Sequence, residues 1–407
     1  MQCGLLGRKL SHSYSPQIHS FLGDYQYNLF EVEPENLEQF FSDTSFTGIN
    51  VTIPYKKEVI KYCDGLSDCA KKLGAVNTIV RKQDGKLIGH NTDYFGFASM
   101  LNKTGLTVKG KKVLVLGSGG ASVTVVAVLK EKGAFPVVIS RSGENNYSNI
   151  HIHSDASIIV NTTPVGMYPD VENTPLDLNT FTQLEGVLDI IYNPARTKLL
   201  MQAEEKGLVT ENGLWMLVAQ AKESSEWFSG QPISDDKIAL IHRKLRHQME
   251  NIILVGMPGC GKSTVGRVLA QKLSMSFVDA DTQIIDTAGM TIPQIFEASG
   301  EEGFRKIETQ VLAKIGKQSG LIIATGGGCV TRAENFQHLH RNGTIVWLKR
   351  NIEDLPTEGR PLSASGNLQN MYAIRRPLYE AFSDVIVDNS GTPEETADAI
   401  IAKLTEV

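Results

Sequence analysis

Apolar positions along this 407-residue chain fall into short β-branched runs, separated by stretches in which they recur every three or four residues. Within residues 1–101, GINVTIPY and AVNTIV predict strands that alternate with helical stretches. Two longer segments share one design: an apolar strand, a glycine-rich turn and a helix-like stretch. They are KKVLVLGSGGASVTVVAVLKEKG (111–133) and NIILVGMPGCGKSTVGRVLAQKL (251–273). Such a turn gathers free backbone N–H groups at a helix N-terminus, whose dipole favours an anion, so each predicts a phosphate cradle. Two cradles predict two nucleotide sites. Residues 234–249 predict a helix with Ser234 as its N-cap and Ile238, Ile241 and Leu245 along one face. The next strand begins at Asn251, which leaves almost no linker.

A chain of this length exceeds one hydrophobic core and predicts two or three domains. Its 41% hydrophobic and 21% charged residues are those of an ordinary globular protein. A net charge of −5 gives no general attraction to nucleic acid or an acidic membrane, so neither is expected as a partner. The start, MQCGLLGRKLSHS, lacks the apolar core of a signal peptide, and the expected location is cytoplasmic. Cys3, Cys63, Cys69, Cys260 and Cys329 include no C-x-x-C pair, so they read as free thiols rather than a metal or disulfide framework.

The second cradle carries the more specific chemistry. GMPGCGKST (256–264) fits G-x-x-x-x-G-K-[ST] through Gly256, Gly261, Lys262 and Ser263, and it stands between a strand and a helix as that motif requires. Gly259, Gly261 and Thr264 belong to the backbone that wraps the nucleotide, Lys262 neutralises β/γ-phosphate charge, and Ser263 ligates Mg²⁺. The motif alone does not name the acceptor. Over about 250–404 the chain resembles shikimate kinase through the DAD run from Asp279 to Asp281, EEGFR ending at Arg305, ATGGG with Gly326, Gly327 and Gly328, GRPL with Arg360, and RRPLY with Arg375. The resemblance implies that Asp281 hydrogen-bonds the hydroxyl that is phosphorylated and that Asp279 assists Mg²⁺. Arg305 and Arg375 would hold the substrate carboxylate, Gly326 to Gly328 would close over its ring, and Arg360 would reach the phosphates from a lid. A small polyhydroxy acid needs cations for its carboxylate and an acidic partner for the attacking hydroxyl. Residues 350–370 are poor in basic groups beyond Arg350 and Arg360, so no nucleotide-base contacts are carried over there.

GSGGAS (117–122) matches G-x-G-x-x-G/A only in part, and by itself does not separate a dinucleotide turn from a plain one. Its surroundings add more. Residues 1–249 resemble shikimate dehydrogenase through SHSYSP (11–16), NVTIPYK (50–56), AVNT (75–78), HNTD (90–93), GSGGAS, SRS (140–142) and NGLWMLVAQA (212–221). The resemblance implies that Lys56 and Asp93 are the catalytic pair, which supplies a proton at the substrate oxygen as hydride moves. A surface salt bridge is the plainer reading of the same two residues. Ser13 and Ser15 would bind the substrate carboxylate and Thr52, Asn77 and Gln220 its hydroxyls, with Tyr192 a further candidate. Gly117, Gly119, Gly120 and Ala121 would form the cofactor turn. At the end of FPVVIS stand Ser140, Arg141 and Ser142 without an acid, which favours NADP over NAD because an arginine accommodates the 2′-phosphate. Only 20 residues separate Arg141 from Thr162, so one helix of the usual nucleotide fold is expected to be missing.

The expected fold is α/β throughout. Residues 1–103, with 212–249 returning to them, would form a substrate domain, 104–211 a Rossmann-like NADP domain, and 250–407 a P-loop domain with a parallel sheet. The implied activity is bifunctional: reduction of 3-dehydroshikimate to shikimate with NADPH, then phosphorylation of shikimate to shikimate 3-phosphate with ATP and Mg²⁺. Two rival readings make the first half either a non-catalytic ligand-binding module or a quinate-type dehydrogenase using NAD. Retention of Lys56 and Asp93 argues against the first, and the lack of an acid near Arg141 against the second.

Overall fold

A computed structural model describes residues 1–10, 13–42, 45–355 and 368–406. The described residues hold three sheets and divide into two compact units, Met1–Asn193 with Thr197–Lys244 and Pro194–Arg196 with Leu245–Val407.

The first sheet of the first unit contains β1 (Gln2–Gly7), β2 (Gln26–Glu31), β3 (Gly48–Val51), β4 (Gly65–Leu66), β5 (Thr78–Arg81) and β6 (Leu87–His90), in the order β2-β1-β3-β5-β6-β4. It is mixed: β1 runs parallel to β2 and β3, whereas β5 is antiparallel to β3 and β6. Every residue of β3 is buried, which is why GINV carries no charge. Beneath it, Leu6, Phe41, Phe46, Ile49, Val51 and Ile79 share one core.

The second sheet contains β7 (Lys112–Leu116), β8 (Phe135–Ile139), β9 (Ile158–Asn161), β10 (Gly186–Asp189) and β11 (Val209–Glu211), in the order β11-β10-β9-β7-β8, all parallel. Side chains alternate across its faces. Val113 and Val115 enter one core while Leu114 and Leu116 enter another, so a continuous apolar run was needed to cover both sides. Helix Gly120–Glu131 follows β7. The connection from β8 to β9 holds one short 3-10 turn, Ile150–His153, and no α-helix, which is the shortening expected from the spacing. Helix Leu214–Ser229 packs on helices Ser15–Leu22 and Asp93–Lys103 and touches β3 and β5. It therefore belongs structurally to the first sheet. Helix Asp236–Met249 buries Ile238, Ile241, Leu245 and Met249 along one side.

In the second unit, β12 (Asn251–Val255), β13 (Ser276–Asp279), β14 (Leu321–Ala324), β15 (Gly343–Lys349) and β16 (Val385–Asp388) form a parallel sheet in the order β13-β14-β12-β15-β16. Only Glu250 separates helix Asp236–Met249 from β12. The carboxyl ends of β12, β13, β14 and β15 share one edge of this sheet, the edge at which parallel α/β sheets place ligands. Helix Lys262–Leu273 starts at that edge. The long helix Ile292–Ile315 is broken at Gly300, whose φ of 66° and ψ of −174° only glycine adopts without strain.

Candidate functional sites

Strand register assembles the first site. Asn50 of β3 is paired with Thr78 of β5, and Thr78 with His90 of β6. Because β5 is antiparallel, the residues before Thr78 meet those after Asn50 and His90. Asn77, Thr52, Lys56 and Asp93 are thereby drawn to one edge. Lys56 Nζ donates to Asp93 Oδ2 at 2.6 Å, with side chains 28% and 14% exposed. Asp93 is the first residue of helix Asp93–Lys103, where the dipole favours a carboxylate. The Lys56 carbonyl accepts from Val76 N at 2.7 Å, which anchors the lysine loop beside Asn77.

Asn77 is buried, and its amide is already engaged. Its Oδ1 accepts from Thr92 N at 2.7 Å, and its Nδ2 donates to Thr92 Oγ1 at 3.0 Å. It therefore clamps the residue immediately before Asp93. Gln220, half-buried on helix Leu214–Ser229, donates from Nε2 to Leu217 O at 2.9 Å, and its Oε1 lies 3.5 Å from Thr92 Oγ1. Thr52 N donates to Leu6 O at the end of β1. Ser13 Oγ accepts from Ser15 N at 3.2 Å, and the Tyr14 ring meets Tyr192 edge-on at 6.2 Å, so Tyr192 lies beside the serine pair. Burial raises the pKa of both tyrosines. Ser15 is also within hydrogen-bonding reach of the half-buried Tyr27 hydroxyl, which donates to Asn50 Oδ1 at 2.8 Å. Sequence reading missed Tyr27 and Asn50. The available signal was the repetition of Asn and Thr at three strand ends, in NVT, VNT and HNT.

The dinucleotide turn stands at the ends of β7 and β8. Leu116 pairs with Ile139, and Gly117 N donates to Ile139 O at 2.8 Å, so Gly117 and Ser140 are neighbours. Gly117 has φ +103°, and a Cβ there would lie 3.0 Å from Thr162 Oγ1. Nothing lies within 4 Å of a Cβ placed on Gly119 or Gly120, which leaves the helix N-terminus open to a pyrophosphate. Ala121 follows on the same turn and is half-buried. Ser140 N donates to Asn145 O, and Arg141 is exposed on a loop laced by Asn145, Asn146 and Asn149. One guanidinium and no carboxylate among 140–142 fit an NADP 2′-phosphate.

In the second unit the candidates converge on one cavity of about 700 Å³. Gly259, Gly261, Lys262, Ser263 and Thr264 line it from the loop after β12, and Asp279 and Asp281 from the end of β13. Arg305, Gly326, Gly327, Gly328 and Arg375 complete it. Lys262 Nζ donates to Gly256 O at 2.9 Å and Met257 O at 3.0 Å, so the lysine holds its own loop in shape. Ser263 Oγ donates to Asp279 Oδ2 at 2.6 Å, and Asp279 Oδ1 accepts from Asp281 N at 3.0 Å. A hydroxyl and a carboxylate beside a phosphate loop suit Mg²⁺, which keeps most of its waters and takes few protein ligands.

The glycine run is required by close approach. A Cβ on Gly328 would overlap the Arg305 guanidinium, and one on Gly327 would lie 2.6 Å from Pro258 Cδ. Arg305 Nη1 donates to Glu308 Oε2 at 2.6 Å, and Arg375 Nη1 to Gly327 O at 3.2 Å. Glu308 is fully buried, and burial raises its pKa against the opposing charge of Arg305. Phe296 and Phe304, stacked with centroids 4.8 Å apart, form an apolar wall with Ile292 and Pro293. Arg350 also lines the cavity, whereas Arg360 lies outside the described residues. Glu308 and the apolar wall were missed by sequence reading, although Glu308 stands one helical turn after Arg305. Two buried arginines, an apolar wall and a carboxylate beside a P-loop suit a small anionic molecule bearing a hydroxyl.

Comparison with known proteins gives the following. Residues 258–405 match the family model described as shikimate kinase, and residues 5–79 the one described as shikimate dehydrogenase substrate binding domain. A shikimate dehydrogenase (NADP(+)) of Clostridium beijerinckii is 40% identical over 245 residues, covering 55% of this chain and 90% of that protein. Among solved structures, a chorismate mutase/shikimate 5-dehydrogenase fusion protein from Clostridium acetobutylicum aligns with a TM-score of 0.57 at 37% identity. It covers 60% of this chain and 96% of its own. Shikimate 5-dehydrogenase from Thermus thermophilus, in complex with NADP(H) and shikimate, aligns with a TM-score of 0.55 at 29% identity, covering 60% and 99%.

Proposed function

The chain belongs to the shikimate dehydrogenase family through its first unit and carries a shikimate kinase domain in its second, and we propose that it reduces 3-dehydroshikimate to shikimate and then phosphorylates it. One observation carries this reading: a single chain holds both the Lys56–Asp93 pair and the P-loop cavity with its two arginines, and the implied reactions are consecutive. The working division is 1–103 with 212–249 for the substrate, 104–211 for NADP, and 250–407 for phosphoryl transfer. No helix among the described residues is long and apolar enough to cross a membrane. The proposed location is the cytoplasm, where NADPH and ATP are available.

In the first unit Ser13 and Ser15 hold the substrate carboxylate, and Thr52, Asn77 and Gln220 its hydroxyls. Lys56 gives a proton to the carbonyl oxygen, and Asp93, 2.6 Å away, keeps the ammonium oriented. Gly119, Gly120 and Arg141 would hold NADPH, which would supply the hydride when bound. In the second unit Arg305 and Arg375 hold the carboxylate of shikimate, while Asp281 orients the attacking hydroxyl and takes its proton. Lys262, held in the loop by the Gly256 and Met257 carbonyls, would neutralise the charge of the phosphate oxygens. Ser263 and Asp279 would hold Mg²⁺, which supplies charge neutralisation when bound.

The test supplies 3-dehydroshikimate, NADPH and ATP–Mg²⁺ and identifies every product. Shikimate and shikimate 3-phosphate are both expected, with one NADPH oxidised for each 3-dehydroshikimate consumed. Phosphorylation of added shikimate without any oxidation of NADPH would instead make the first unit a ligand-binding module.

A further inference from the structure

The Asn and Thr residues at three strand ends outnumber what substrate contacts require, and their placement shows where the rest go. Thr78, Thr92 and Ser224 form a closed triangle of hydroxyls. Oγ–Oγ distances are 2.9 Å for Thr78–Ser224, 3.0 Å for Thr92–Ser224 and 3.2 Å for Thr78–Thr92. None is more than 1% exposed. Asn50 Nδ2 donates to Thr78 Oγ1 at 3.0 Å and Ser224 Oγ at 2.8 Å, and Ser224 Oγ is 2.9 Å from Gln220 O. The members come from β3, β5, the start of helix Asp93–Lys103, and helix Leu214–Ser229. In sequence, Asn50 and Ser224 are 174 positions apart.

We infer that this hydroxyl triangle is a positioning device for the Lys56–Asp93 pair, an inference that rests on the catalytic reading of that pair. Apolar side chains would hold four elements together equally well, because packing is non-directional. A buried hydroxyl cluster adds direction: each hydroxyl has one proton and only a few fixed acceptors within reach, its triangle neighbours, Asn77 Oδ1 for Thr78 and Thr92, and Gln220 O for Ser224. Thr92 is fixed on both sides, by Asn77 at its amide and by the triangle at its hydroxyl. Asp93 is the next residue, so the direction of its carboxylate is inherited from Thr92. Gln220 is fixed in the same way, one turn before Ser224 on their shared helix. Thr78, Thr92, Ser224 and Asn50 are positioning residues, since they reach the reaction through Asp93 and Gln220.

Thr78→Val keeps the shape and deletes the hydroxyl, Thr78→Ser keeps the hydroxyl, and Ser224→Ala deletes the second corner. For Thr78→Val and Ser224→Ala, kcat for reduction should fall on the order of 10- to 100-fold, the scale of a displaced reacting group. KM for NADPH and phosphorylation of added shikimate by the same chain should stay near wild type. Thr78→Ser should restore kcat to within about threefold of wild type, a recovery that loss of cohesion alone would not produce. Should Thr78→Val not fold, Ser224→Ala carries the test. The inference is overturned if the folded Val or Ala variants keep kcat within twofold, or if Thr78→Ser loses as much as Thr78→Val. Lys56→Ala separates this from the reading beneath it. Reduction surviving in Lys56→Ala overturns the catalytic pair itself, whereas its loss there beside an unaffected Thr78→Val overturns only the triangle.

Discussion

The two phosphate cradles begin alike, as a parallel strand, a glycine turn and a helix, and then diverge in where their positive charge lies. After β7, the helix N-terminus at Gly119 and Gly120 is open and uncharged, and the nearest assigned cation, Arg141, stands exposed on the loop after β8. After β12, Lys262 is built into the turn, buried and bonded to two of its carbonyls. The difference follows the work. A cofactor whose phosphates only need holding is served by backbone N–H groups. A phosphoryl group in transfer develops charge that calls for a fixed cation nearby.

That contrast is most easily broken at Lys262. Lys262→Ala should lower phosphorylation of shikimate by at least about 10²-fold while leaving reduction unchanged, and assaying both activities on one preparation reads this directly. Arg141→Ala should act more weakly because the side chain is solvated. Its expected effect is about a tenfold drop in the ratio of kcat/KM with NADPH to that with NADH, and an unchanged ratio would detach Arg141 from the 2′-phosphate. Gly119→Ala sharpens the contrast further. Its φ of −79° tolerates alanine and its Cβ meets nothing, so Tm should hold while KM for NADPH rises a few-fold.

The smallest expected effect separates the units by acid response. His19 is buried against Tyr25, Tyr27 and Phe228, and burial depresses its pKa from 6.5 to about 3. The unfolded chain therefore binds the proton first. Stability present above pH 6.5 is lost as pH falls toward 3. His19→Phe removes this titration, so the stability of wild type relative to the variant should decline by about 1 kcal/mol between pH 7 and 5.5. Denaturant unfolding at the two pH values measures it.

The P-loop was legible because its chemistry occupies nine consecutive residues. GSGGAS was not, because its cation arrives from another strand. The shortened β8–β9 connection could be read from spacing alone, since only 20 residues separate Arg141 from Thr162. Asn77 was legible as a polar residue at a strand end, yet its engagement with Thr92 was not, because that depends on β5 running antiparallel between β3 and β6. Ser224 was invisible for the same reason. Its helix is amphipathic in sequence, but nothing local says that it closes over strands some 150 residues earlier. Phe296 and Phe304 stack across the break at Gly300, which interrupts the helical period from which their shared face would have been read.

The unbroken run of the chain from helix Asp236–Met249 into β12 has a consequence for supply rather than for chemistry. Both sites are translated on one message and in one chain, so their copy numbers are equal in every cell, whatever the level of expression. Where two separate enzymes can be matched by adjusting the dosage of each, here the balance between making the intermediate and consuming it can be altered only through turnover and affinity. Selection on that balance therefore falls on side chains, not on promoters.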